Sequence, residues 1–165
     1  MIRSITPDDA AAVAVLAVAA ELFPPEEAGV VEGVLTSFFA AGSADGRTWV
    51  VDEVDGELVG TAYYEPVTAT DRTWELLMIG VRRDRHRQGR GTALLRHVEE
   101  DLRARGQRLL LVETSALPAF DRARAFYLAS GYEEEARVRD YFAAGDDMVL
   151  FRRALSARRV RVVGG

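Results

Sequence analysis

The sequence predicts an α/β fold of the α+β kind: a mixed, mostly antiparallel central sheet of about seven strands, helices on both faces, and one parallel strand–helix–strand crossover. Three features predict it. Short apolar runs rich in β-branched residues, separated by turn residues, place hairpins towards both ends, the clearest at Asp55-Gly56. In the middle, the apolar run Leu76 to Val81 passes through a glycine loop into an amphipathic helical pattern, then into a second apolar run. That is the order of a right-handed crossover. The whole series reads β α α β β β α β α β β, with no repeat and no linker, so residues 1–155 of the 165 are expected to form one domain.

Arg3 to Thr6 reads as a short strand, and Thr6-Pro7-Asp8-Asp9 as a helix start with proline and acids in the first turn. A helix is expected over Ala10 to Leu22, broken by Pro24-Pro25. A second follows over Glu26 to Ala41, with Val30, Val31, Val34, Leu35 and Phe38 at helical spacing. Gly42 to Gly46 is a turn. Trp49 to Asp52 and Leu58 to Glu65 are the strands of the Asp55-Gly56 hairpin, and Pro66 to Arg72 is a connection. Trp74 to Val81 is the next strand. A helix opened by Gly89 or Gly91 then carries Leu94, Leu95, Val98 and Leu102 as one apolar stripe and ends at Arg105-Gly106. Leu109 to Glu113, continuously apolar up to its last residue, is expected at the centre of the sheet. Phe120 to Ala129 is a short helix stopped by Gly131, and Tyr132 to Tyr141 with Met148 to Arg153 is a final hairpin. The basic tail 156–165 has no periodic partner and is expected to be flexible.

Composition removes several function classes. The chain has no cysteine, which excludes disulfides, thiolate metal sites and a cysteine nucleophile; no metal site is visible in the sequence. All 21 basic residues are arginine, so no lysine Schiff base can form. A net charge of −5 disfavours a general affinity for nucleic acid. No apolar run approaches the roughly 20 residues of a membrane span. The apolar stretch Ala10 to Ala20 follows Asp8 and Asp9 and ends in Glu21, unlike a signal peptide, and a cytoplasmic location is expected.

One stretch points to chemistry. After Val81 come Arg82, Arg83, Arg85, Arg87 and Arg90 interleaved with Gly89 and Gly91, directly before a helix. Glycines allow close backbone approach, and a helix start offers free N–H groups and positive potential to a phosphate. Arg87 and Arg90 are placed to add charge-assisted bonds. The loop lacks the lysine of a P-loop, and Leu94 stands where a dinucleotide fold needs a third small residue.

The run H-R-Q-G-R-G-T-A-L-L, His86 to Leu95, resembles the acetyl-CoA pyrophosphate loop of the GNAT family of N-acetyltransferases: Gln or Arg, two residues, Gly, one residue, then Gly or Ala. The run A-R-A-F-Y-L-A-S-G-Y, Ala123 to Tyr132, resembles the family's fourth-helix signature. Two departures stand out: His86 in place of Gln or Arg, and Phe120 where many members carry asparagine. The resemblance implies acetyl-CoA as co-substrate. Its pyrophosphate would lie on Arg87, Gln88, Gly89, Arg90, Gly91 and Thr92, and its pantetheine arm along Ile79, Gly80 and Val81. Arg82, Arg83 and Arg85 are either contacts to its 3′-phosphate or solvated surface.

Acetyl transfer to an alkylammonium of pKa about 10 needs a base, and the departing thiolate, of pKa about 8.5, is helped by an acid. By resemblance, Tyr127 lies near the thioester sulfur and is the acid candidate. Glu75, a carboxylate in an apolar strand, is the base candidate; Glu113 is the second, as base or as anchor for a cationic acceptor. The expected activity is therefore transfer of acetyl to a primary amine of a small molecule or peptide, with no membrane or nucleic-acid partner. The alternatives are a non-catalytic acyl-CoA-binding regulatory or interaction module, and a nucleotide or nucleic-acid binder using the arginines. The acceptor would be shaped by the second helix, the Pro66 to Arg72 connection and the final hairpin with Asp140, Tyr141, Asp146 and Asp147. Family likeness also suggests a homodimer through that hairpin.

Overall fold

A computed structural model describes residues 1–155; the expected flexible tail lies outside the described residues. Seven strands form one sheet: β1 (Ile2–Ser4), β2 (Thr48–Val54), β3 (Glu57–Pro66), β4 (Thr73–Val81), β5 (Leu109–Ser115), β6 (Glu133–Ala143) and β7 (Asp146–Ala154). Four α-helices accompany them: α1 (Ala10–Ala19), α2 (Ala28–Ala41), α3 (Arg90–Ala104) and α4 (Asp121–Ala129). The spatial order is β1-β2-β3-β4-β5-β7-β6, and every pair is antiparallel except β4 with β5. The predicted crossover is thus β4–α3–β5. No described helix is long and apolar enough to cross a membrane.

Strand alternation sends successive side chains to opposite faces, and each face has its own core. Trp49, Val51 and Tyr63 pack with Val13, Ala17, Val31 and Leu35 of α1 and α2. Val50, Ala62, Tyr64 and Leu76 pack with Leu94, Leu95, Val98 and Leu102 of α3 and with Tyr127 of α4. Helix α1 stops at Ala19, short of the expected Leu22. Glu21 has φ +58°, outside helical space, and the Leu22 N–H reaches back to the Ala17 carbonyl at 2.9 Å. This turn drops Leu22 onto β4, where a Cβ on Gly80 would lie 2.7 Å from its Cδ1.

Helix α3 approaches the sheet just as closely. A Cβ on Gly60 of β3 would stand 2.8 Å from Leu94 Cδ1 and 3.5 Å from Asp52 Cβ. Leu94 is fully buried and has nowhere to go. Gly60→Ala is therefore expected to destabilise the protein by about 1–3 kcal/mol, read as a lower Tm; an unchanged Tm would contradict this contact.

Candidate active site

The central strands part company. β4 and β5 share three register pairs, Thr73↔Leu109, Trp74↔Leu110 and Glu75↔Leu111, and then separate. Each instead follows its outer neighbour. β5 pairs with β7 from Leu109 to Ser115, while β4 stays on β3 as far as Val81. A bulge turns β4 away: Tyr63 faces Met78 and Tyr64 faces Leu76, so Leu77 is an extra residue. The gap opens into a cleft of about 800 Å³ whose wall includes Leu76 to Ile79, Val112 to Ser115 and Tyr127. A groove of about 860 Å³ beside α1 and Arg82 to Asp84 contains none of the expected catalytic residues.

Backbone groups on the open side of β4 face this gap. The Arg82 N–H donates to the Val59 carbonyl at 2.8 Å, and Gly80 lies opposite Thr61. Antiparallel ladders alternate, so Gly80 and Arg82 turn their polar groups to β3 while Ile79 and Val81 turn theirs to the gap. His86 donates from Nε2 to the Val81 carbonyl at 2.8 Å, tying the loop back to the strand. That leaves the N–H groups of Ile79 and Val81 and the carbonyl of Ile79 towards the cleft side.

The glycine loop has the geometry of an anion site. Arg87 and Gly89 have φ +60° and +73°, and α3 starts at Arg90 with no side-chain cap. Its first intrahelical bond is Ala93 N–H to the Gly89 carbonyl at 2.9 Å, so the N–H groups of Gly89, Arg90, Gly91 and Thr92 precede the ladder. The arginine charge is largely spent elsewhere. Arg82 pairs with Asp84 and Glu57, Arg83 with Glu21, and Arg85 with Asp84. Arg90, expected to reach a phosphate, instead donates from Nη1 to Asp52 Oδ2 at 2.8 Å. The reason is local: the first turn of α3 lies against the sheet at Gly60, next to this buried aspartate. Among the described residues, Arg87 makes no ion pair, and Gln88 is exposed beside it.

The candidate acids and bases gather at the parting. Tyr127 is buried on α4 among Phe126, Tyr132 and Phe151, and its hydroxyl has no hydrogen-bond partner among the described residues. Burial pushes its pKa well above the ordinary tyrosine range. Glu113 lines the same cleft and accepts a hydrogen bond from the Tyr141 hydroxyl at 3.3 Å. Glu75 lies behind it rather than on the cleft wall. Burial raises its pKa to about 7, with Glu113 and Glu65 adding to the rise. Glu65 stands opposite Glu75 in the register and accepts from the Tyr63 hydroxyl at 2.9 Å. The sequence reading did not single out Glu65, Tyr63 or Leu22. The β3–β4 pairing across a loop was the only available signal for the first two.

The model of the Acetyltransferase (GNAT) family matches residues 15–132. A GNAT-family structure from Desulfovibrio desulfuricans is 34% identical, superimposes with a TM-score of 0.88, and is covered over 99% of its length by 94% of this chain. The ribosomal-protein-S18-alanine N-acetyltransferase of Escherichia coli is 24% identical with a TM-score of 0.77, 99% of each chain being covered. The aminoglycoside 6′-N-acetyltransferase of Enterococcus faecium is 17% identical with a TM-score of 0.75, over 96% of this chain and 98% of its own. No curated protein gives a significant match.

The raised Glu75 pKa has a stability signature. The folded state holds the proton more tightly than the unfolded state, whose value is the ordinary 4.5. Stability contributed by the protonated form is present below that value and is lost as pH rises through about 7. Glu75→Gln is expected to stabilise the protein at about pH 8 by about 1–2 kcal/mol, allowing for screening of a half-buried group. Close to pH 4.5 it should have little effect. Urea unfolding at both pH values measures this, and equal stabilisation at both would assign the effect to packing.

Proposed function

The chain belongs to the GNAT acetyltransferase family, and we propose that residues 1–155 form a domain that acetylates a primary amine by direct attack on acetyl-CoA. The observation that carries this reading is the parted pair β4–β5. Its cleft meets the open edge of β4, the unpartnered Tyr127 hydroxyl and Glu113, while the uncapped first turn of α3 follows the end of the same strand. These are the groups a thioester on a pyrophosphate-linked arm would need.

In this reading the N–H groups of Gly89 to Thr92, with Arg87, take the pyrophosphate, as a helix start favours. The arm adds to β4 as an extended peptide would, through Ile79 and Val81. Gly80 serves differently, leaving room for Leu22, which packs over it and lines the same cleft. Glu113, coupled to Glu75, removes a proton from the acceptor ammonium, directly or through water. The freed amine nitrogen forms a bond to the thioester carbonyl carbon, the carbon–sulfur bond breaks, and Tyr127 gives its proton to the sulfur; the second proton of the attacking nitrogen, lost as the amide forms, restores the Tyr127 phenol. Burial raises its pKa, so the phenol carries the proton it would give when the reaction begins. With no cysteine in the chain, no thioester with the enzyme itself can form.

The acceptor is a small molecule or peptide whose amine is cationic before attack. The cleft wall carries Glu21, Glu27, Glu113 and Asp146 and no arginine or histidine among the described residues. The related S18-alanine and aminoglycoside enzymes also act on amines, as their names state. A homodimer would use the end strand β6, which is exposed along its whole length.

Acetyl-CoA at 100 times its Kd is expected to stabilise the protein by about 2.7 kcal/mol, with no effect from ATP or NAD. A panel of amines assayed by thiol release should then identify an acceptor. Tyr127→Phe is expected to lower kcat by about a hundredfold or more with KM for acetyl-CoA nearly unchanged. CoA binding without turnover of any amine would instead indicate a binding module, and unchanged kcat in the variant would remove Tyr127 from the chemistry.

A further inference from the structure

Asp52 is a buried carboxylate on β2, its side chain 4% exposed, on the face of the sheet that packs against α3. Its Oδ2 holds Arg90 Nη1 at 2.8 Å, and its Oδ1 lies 3.3 Å from the Met1 amino nitrogen. Arg90 is the first residue of α3, immediately after the left-handed Gly89. Its guanidinium is therefore drawn down onto the sheet. The Arg90 Nε is buried and has no acceptor, so the side chain is held by one strong contact rather than by a full set of bonds.

A pair built this way is a poor source of stability. Removing two charges from water costs several kcal/mol, and well-packed apolar residues often serve the fold as well or better. What the pair does provide is a fixed position. A single ion pair joins β2, the strand next to the β1 edge, to the one turn of α3 whose N–H groups have no intrahelical acceptor. The neighbouring Gly60 lets the helix sit close enough for an arginine to span the distance.

We propose that Asp52 is a positioning residue for the pyrophosphate loop: it anchors Arg90 so that the N–H groups of Gly89 to Thr92 are fixed towards the phosphates, and Arg90 itself is not a phosphate ligand. This rests on the acetyl-CoA reading of the loop. It assigns a role to a residue 38 positions away in sequence that lines no part of the acetyl-transfer cleft. It also reverses the natural expectation for Arg90. An arginine in a phosphate loop is ordinarily taken as a ligand, and its buried aspartate partner would then weaken binding by competing for it.

The two roles predict opposite responses. CoA binding is measured by calorimetry for wild type, Asp52→Asn, Arg90→Met and the double variant, with kcat and KM for acetyl-CoA alongside. Anchoring predicts that each single variant weakens CoA by about tenfold, that the double variant is no worse than either, and that kcat at saturation stays within about twofold. Arg90→Lys, which keeps the ion pair, should retain most of the affinity. Hydrogen exchange of the ligand-free proteins should show faster exchange at Ala93 and Leu94, the first bonded amides of α3, in the double variant while α3 beyond Leu95 stays protected. The double variant leaves no buried unpaired charge and so remains foldable if a single variant does not.

Tighter or unchanged CoA binding by Asp52→Asn would overturn the proposal, because a released Arg90 would then be acting as ligand. So would wild-type affinity in the double variant. A wild-type protein that bound no CoA at all would overturn the acetyltransferase reading itself, which is a distinct result.

Discussion

When two strands in the middle of a sheet stop pairing, their backbone groups lose partners, and each such group costs about 1–3 kcal/mol if it is buried without one. Here β4 and β5 stop pairing after Glu75 and Leu111, and the rest of the site depends on that parting. The bulge at Leu77 steers β4 outward, and full pairing with β7 keeps β5 from following. The carbonyl of Val81 recovers one bond from His86. The groups that remain are donors and acceptors at the spacing of a missing strand. A ligand that extends the sheet at this point relieves a cost the fold already carries.

Charge is arranged around the same opening. The protein is acidic overall, and most arginines of the β4–α3 loop are engaged by acids close to them. What the loop still offers an anion is mainly its backbone N–H groups, which cannot be neutralised by a neighbouring carboxylate. On the other side of the parting, Glu65, Glu75 and Glu113 crowd together, with the Tyr63 hydroxyl donating to Glu65 and the Tyr141 hydroxyl to Glu113. Such crowding destabilises the fold near neutral pH and raises a carboxyl to about 7, the range where a base can both accept and release a proton.

Much of the architecture was legible because it is local. The Asp55-Gly56 turn, the apolar stripe Leu94 to Leu102 and the glycines at 89 and 91 all act within a few residues, and each appears where the spacing predicted. The central place of Leu109 to Glu113 followed from its continuous apolarity, and the structure puts it between β4 and β7. The end of α1 was misread because the sequence carries no glycine or proline there; a non-glycine residue with positive φ at Glu21 ends it. The Arg90–Asp52 pair was not legible for a different reason. Asp52 lies in another element, and nothing in the loop's own composition distinguishes an arginine facing a phosphate from one facing a buried carboxylate. The coupling of Glu75 to Glu113 is equally non-local, set by strand register rather than by spacing along the chain.

The claim that the open edge of β4 takes the arm of acetyl-CoA can be tested residue by residue. Amide exchange followed by NMR, with and without CoA, separates the two sides of a strand only two residues apart. The N–H groups of Ile79 and Val81 should exchange rapidly in the free protein and become protected when CoA is added. Those of Gly80 and Arg82, already directed at β3, should hardly change. Protection of Gly80 and Arg82 in step with their neighbours, or no protection of Ile79 and Val81 at saturating CoA, would contradict the account.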